Sequence, residues 1–169
     1  SGGGLRSALW TFFVLEQLEL EFDRHGLDFP SHVRIITGAS GGMLGASYYV
    51  STLPPPDQRA KSEERSEQLL SQRRNLASDL LSPLARRAAL SDIPAFFSPW
   101  KLQHDRGKAL EQAWIERLKS PVGPGLEQSF TDLRQGELEG WRPSLVFTPM
   151  LVEDGRRLVI SNLDLRYAI

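Results

Sequence analysis

The pentapeptide Gly38-Ala39-Ser40-Gly41-Gly42 carries the clearest chemical signal in this chain. The stretch Val33-Arg34-Ile35-Ile36, rich in β-branched residues, leads toward it, and the apolar run Met43-Leu44-Gly45-Ala46 follows it. Strand, tight turn and helix in that order make a nucleophile elbow, where a hydroxyl is presented on a sharp, strained turn. Such a turn leaves little room for Cβ atoms beside the nucleophile, so Gly38 and Gly42 are expected to act sterically. Ser40 is the expected nucleophile.

A second glycine cluster opens the chain, Ser1-Gly2-Gly3-Gly4-Leu5-Arg6-Ser7, and runs straight into a helical pattern. Free backbone N–H groups at a helix N-terminus favour negative charge, whether a phosphate or the oxyanion of an acyl-transfer intermediate. As a dinucleotide fingerprint the cluster is incomplete. Ser7 replaces the third glycine of G-x-G-x-x-G, and no acidic residue closes the strand at Val33 to Ile36 to hold a ribose. A nucleotide-binding module is thereby disfavoured.

The two motifs, one helix and one strand apart, together resemble the patatin-like phospholipase family, with its G-G-G-x-[R/K] oxyanion loop and its G-x-S-x-G elbow. The stretch Pro143 to Pro149, followed by Glu153 to Asn162, is similar to the strand-turn-strand after the family's nucleophile half. The resemblance implies an α/β fold, a three-layer α/β/α sandwich on a mainly parallel sheet. It implies a serine lipid acyl hydrolase that cleaves fatty acyl esters of lipid or phospholipid through an acyl-enzyme on Ser40, with no metal or organic cofactor. By the same resemblance the N–H groups of Gly2, Gly3, Gly4 and Gly41 form the oxyanion hole, and Arg6 anchors the glycine loop. On physical grounds Arg6 could equally be a solvated cation, although the helix dipole disfavours an arginine in a first turn and asks for a compensating partner. The rival from another class is a catalytically silent domain that keeps the glycine loops to hold lipid headgroups or phosphate.

A serine hydroxyl needs a base. His25, beside Gly26, suits a helix C-terminus, and His32 precedes a strand, so both read as structural. His104 comes before the late aspartates and breaks the Ser, Asp, His order of an α/β-hydrolase triad. The resemblance implies instead a Ser-Asp dyad with the aspartate in D-G-[G/A]. Asp154-Gly155 is followed by Arg156 and reads as a turn, and Asp164 has no glycine after it. The general-base aspartate is therefore not found in this chain and is expected beyond Ile169. Because the first residues already belong to the glycine loop, we expect a fragment that lacks the first strand and the C-terminal strands, with the rest of its own chain as a partner.

Positioning these groups falls to a few elements. From Leu5 to Arg24 the residues Leu5, Ala8, Leu9, Phe12, Leu15, Leu18 and Phe22 recur at helical spacing, and Gly26 can cap that helix in a left-handed conformation. A strand from Val33 to Thr37 and a helix from about Gly42 to Ser51 complete the nucleophile half, residues 1–51. A variable helical insertion is expected over 52–106: Pro54-Pro55-Pro56 opens it, a charge-laced exposed helix follows over Asp57 to Leu81, and a mixed aromatic and basic stretch comes after. In that stretch Phe96, Phe97 and Trp100, with Arg86, Arg87 and Lys101, would suit a lipid–water interface, though we favour a core-covering role. Over 107–169 we expect a helix from about Asp105 to Leu118, striped by Leu110, Ala113, Trp114 and Leu118, and a hairpin of Leu145 to Val152 with Arg156 to Ile160 around Glu153-Asp154-Gly155.

Composition narrows the class. With 169 residues, 40% apolar and 24% charged, the chain can build one ordinary globular core. Its 20 basic and 21 acidic residues are interspersed, leaving no electrostatic footprint for nucleic acid. The absence of cysteine excludes disulfides and thiolate metal sites and fits a reducing compartment. No signal or membrane-spanning stretch is visible, which favours a cytoplasmic or peripheral membrane location.

Overall fold

The computed structural model describes residues 3–59, 62–77, 111, 114–116, 118 and 125–166. The elbow half is built as its hydrophobic pattern requires. Helix α1 spans Gly3–Arg24 and buries Ala8, Phe12 and Leu15. Leu18, expected in that stripe, is 39% exposed, and Glu19 is buried in its place. At 3.6 residues per turn, position 19 falls back under Phe12 while position 18 is rotated well away from it. Gly26 ends the helix at φ 70°, with Leu27 N–H donating to Phe22 O at 3.0 Å and Gly26 N–H to Asp23 O at 2.9 Å. This is the paired bonding of a Schellman cap.

A short helix α2, Phe29–His32, turns the chain into strand β1, Ile35–Gly38, and helix α3 follows at Ser40–Ser51. Tyr48, Tyr49 and Val50 on α3 are all fully buried, so its second half forms the centre of the core. Helix α4, Ser62–Ala77, corrects the expectation of an exposed helix. Arg65, Leu69, Gln72 and Leu76, one to a turn, are buried, and the element packs along α1. Only two of those four residues are apolar, which is why the sequence reads as solvated. The polar pair finds partners inside: Arg65 Nε bonds Glu19 at 2.7 Å while its Nη1 is buried without a hydrogen bond among the described residues, Tyr49 O–H donates to the same carboxylate at 2.5 Å, and Thr52 O–H donates to Gln72 at 3.3 Å. A second cross-helix pair joins Arg73 to buried Glu16 at 3.3 Å.

Helix α5, Arg134–Glu139, precedes strand β2, Ser144–Phe147, and strand β3 is Ile160–Ser161. Arg142 pins the start of β2 to the end of α3 by donating to Leu53 O at 2.7 Å, and burial pushes its guanidinium down to about 10. The described sheet has the order β1-β2-β3, with β1 parallel to β2 and β3 antiparallel. The described residues thus form an α/β fold with a small mixed sheet. The β2–β3 hairpin supplies the antiparallel pairing. Its register continues outward through the Met150–Arg157 bridge, but the strands are shorter than expected because Pro149 has no N–H to give to the ladder. Of the helix expected over Asp105 to Leu118, residues 111 and 114–116 are helical and Leu118 is buried; the rest, like Arg86, Arg87, Phe96, Phe97, Trp100, Lys101 and His104, lies outside the described residues. Among the described residues no helix is long and apolar enough to cross a membrane.

Candidate active site

Strand β1 ends at Gly38, Ala39 stays extended at φ −129°, and Ser40 then adopts φ 52° as the first residue of α3. Ser40 is the only non-glycine residue with positive φ among the described residues. That conformation costs an L-residue roughly 1–2 kcal/mol, so surrounding structure must hold it. The helix therefore starts at Ser40 itself, two residues earlier than expected, and the side chain stands on the turn between strand and helix.

The holding structure is the contact between α1 and α3. A Cβ on Gly41 would overlap the Gly4 backbone, its Cα lying only 2.8 Å away, and one on Gly45 would stand 3.0 Å from Ala8 Cα. Gly4 and Ala8 thus face Gly41 and Gly45 in the same chain direction, so the two helices run parallel with their backbones touching. This extends the steric requirement. A Cβ at Gly38 would meet Met43 at an ordinary 3.4 Å and one at Gly42 would come within a tight 3.3 Å of Thr11, while the most crowded positions are Gly41 and Gly45. Sequence reasoning missed Gly45, although the spacing Gly41-x-x-x-Gly45 opposite Gly4-x-x-x-Ala8 is the readable signal of two close-packed helices.

Parallel packing has an electrostatic consequence. The first turns of both helices, with their unsatisfied N–H groups and positive dipole ends, lie side by side next to Ser40. Gly3, Gly4 and Gly41 are in these turns, while Gly2 lies outside the described residues. A Cβ on Gly4 would meet nothing within 4 Å among the described residues. Arg6 is exposed and has no ion pair or hydrogen bond among the described residues; it borders a groove between α1 and α4.

Ser40 opens onto a cleft of about 730 Å³ at the carboxyl ends of β1 and β2, the side on which open α/β sheets bind ligands. Its walls are apolar. Met43 and Leu44 come from α3, Phe147 and Met150 from the β2 hairpin, and Trp114 and Ile115 from the short helical stretch before α5. Glu111 is the one ionisable residue among the described residues of the lining, a position for which the sequence carried no signal.

The other titratable candidates sit elsewhere. His25 Nδ1 bonds Glu21 O at 2.9 Å and His32 Nδ1 bonds Asp28 O at 2.7 Å, both local helix-end contacts. Asp154 accepts from Arg156 N–H at 3.0 Å and from its guanidinium at 2.5 Å, and Gly155 has φ 72°, so this pair closes the hairpin turn. Asp164 is exposed, and hydrogen bonds from the Arg166 side chain and backbone hold its carboxyl below the usual range. No group of three or more metal-ligating side chains occurs among the described residues. Comparison with family models, with curated proteins and with solved structures finds no match to this chain.

Proposed function

We propose that this chain presents the nucleophile half of a serine lipid acyl hydrolase of patatin-like, three-layer α/β/α design. The observation that carries the reading is the φ of 52° at Ser40, a strained conformation retained in a serine at the mouth of an apolar cleft. Strain of that kind is a cost that a merely structural turn would remove by using glycine. The cleft suits a fatty acyl chain, and the adjoining helix N-termini suit the charge that develops during acyl transfer.

In this reading Ser40 Oγ attacks the ester carbonyl carbon while its proton passes to a base. The backbone N–H of Gly41, with those of the α1 first turn, receives the oxyanion. Collapse breaks the bond to the alcohol, which leaves protonated, and water then releases the fatty acid from Ser40. A second reading, a silent lipid-binding domain, draws on one observation: no His or Asp lines the cleft among the described residues.

Labelling of the native protein with a fluorophosphonate separates the two. The hydrolase reading expects a covalent adduct at Ser40 that is lost in Ser40→Ala and kept in Asp154→Asn, whose carboxylate is already committed to Arg156. A protein that binds fatty acid yet never labels is the silent domain.

A further inference from the structure

The outer face of α1 carries a feature that the cleft does not use. Trp10 is 67% exposed, with its ring 5.9 Å from that of Phe13 one turn along, and Val14 beside it is 37% exposed. A large aromatic is normally drawn inside, so this exposure is the exception that asks for a reason. Arg73 of α4 lies over the Phe13 ring at 5.5 Å, and Arg6 and Arg74 border the same groove, which measures about 430 Å³. No carboxylate lines it among the described residues. Arg73 is paired with Glu16, but Arg6 and Arg74 have no hydrogen bond or ion pair among the described residues. On a chain whose net charge is only −1, two unneutralised guanidinium groups flanking an exposed tryptophan form a local positive field.

We infer that this α1/α4 face docks on an anionic lipid surface. Indole rings settle at headgroup depth, where one side is apolar and the other wet, and arginines beside them meet lipid phosphates. Trp10, Phe13 and Val14 occupy successive positions along one helix edge, the arrangement by which an amphipathic helix lies in the interface plane. A protein partner needs about 1,000 Å² or more of complementary surface, far beyond one helix edge and a small groove. Charge complementarity thus selects a bilayer rich in acidic phospholipid. Arg6 stands in the first turns of α1, at the Ser40 end of the molecule, so docking holds that end near the lipid. The inference goes beyond the acyl-hydrolase reading and does not depend on it, because binding needs neither Ser40 nor turnover.

The test is flotation of the purified protein with phosphatidylcholine vesicles and with mixed phosphatidylcholine–phosphatidylglycerol vesicles. Binding is expected only to the acidic vesicles and is expected to weaken with added salt. Each cation at such a surface contributes roughly fivefold in partitioning, so Arg6→Gln with Arg74→Gln lowers binding by about 25-fold. Trp10→Ser also lowers it, while Trp10→Phe keeps most of it. Circular dichroism melting accompanies every variant, and all replaced side chains are exposed, so the fold is expected to persist. Vesicle binding that is absent, insensitive to phosphatidylglycerol or unchanged in these variants overturns the inference. So does self-association without lipid that Trp10→Ser abolishes, which would make the face a contact between copies.

Discussion

Replacing Gly41 with alanine puts the contact between the two glycine motifs to the sharpest test. The new methyl group would stand 2.5 Å from the Gly4 carbonyl carbon and closer still to its oxygen, where even a tight packing contact begins near 3.0 Å. The first turns of α1 and α3 must therefore separate, because the obstruction is backbone and cannot rotate aside. Overpacking of this kind costs typically about 1–3 kcal/mol. For a domain of this size each kcal/mol lowers Tm by roughly 2–4 °C, so a fall of several degrees is expected. The shift also carries the α1 N–H groups away from Ser40, and on the acyl-hydrolase reading the loss of one oxyanion donor costs roughly 2.7–4 kcal/mol of barrier. Fluorophosphonate labelling of the native protein should then slow by about a hundredfold or more. Gly4→Ala is the matched control: its methyl group meets nothing within 4 Å among the described residues, and alanine is the better helix former by up to about 1 kcal/mol. It should melt no lower than wild type and label at a similar rate. A Gly41→Ala variant as stable and as reactive as Gly4→Ala would refute the backbone contact and the convergence of helix termini built on it.

Two further outcomes follow from the same geometry and from the buried charges. Ser40→Gly relieves the positive φ and should raise stability by roughly 1 kcal/mol in urea titration, while Ser40→Ala should not; equal midpoints would mean that the turn is unstrained. Glu16 is buried, which raises its carboxyl above the ordinary 4.5, with Arg73 opposing and Glu19 adding to the rise. The folded state then binds more protons than the unfolded state between pH 4.5 and the raised value, so stability falls as pH climbs through that window and stays lower above it. Urea midpoints of wild type and Glu16→Gln between acid and neutral pH should shift in favour of glutamine as pH rises, and a constant difference, or one of opposite sign, would contradict the burial argument.

What the sequence revealed was decided by local chemistry. The turns at Ser40 and Gly155 and the helix cap at Gly26 were legible because each requirement lies within a few neighbours: a strand running into a turn, a helix running out, a left-handed residue where a chain reverses. Boundaries moved where a single atom intervened. Pro149 removes one ladder donor and shortens β2, and α3 begins at Ser40 instead of after it.

The rest was hidden because it depends on pairs of distant residues. Arg65, Gln72, Glu16 and Glu19 look like solvent-facing positions until α4 lies on α1 and beside the end of α3, where Arg65 meets Glu19 and Gln72 meets Thr52, and only then does an apparently polar helix become a wall of the core. The closest glycine contacts were hidden for the same reason. Gly38 and Gly42 flank Ser40 in sequence, but the severest crowding, at Gly41 and Gly45, comes from the Gly4 and Ala8 backbone some 37 residues earlier. That distance is informative. A turn that needed glycine only for its own shape would say nothing about the opening segment of the chain. A helix that needs glycine to touch another backbone couples the two motifs, so any change that separates α1 from α3 acts at once on the strain at Ser40 and on the N–H groups beside it.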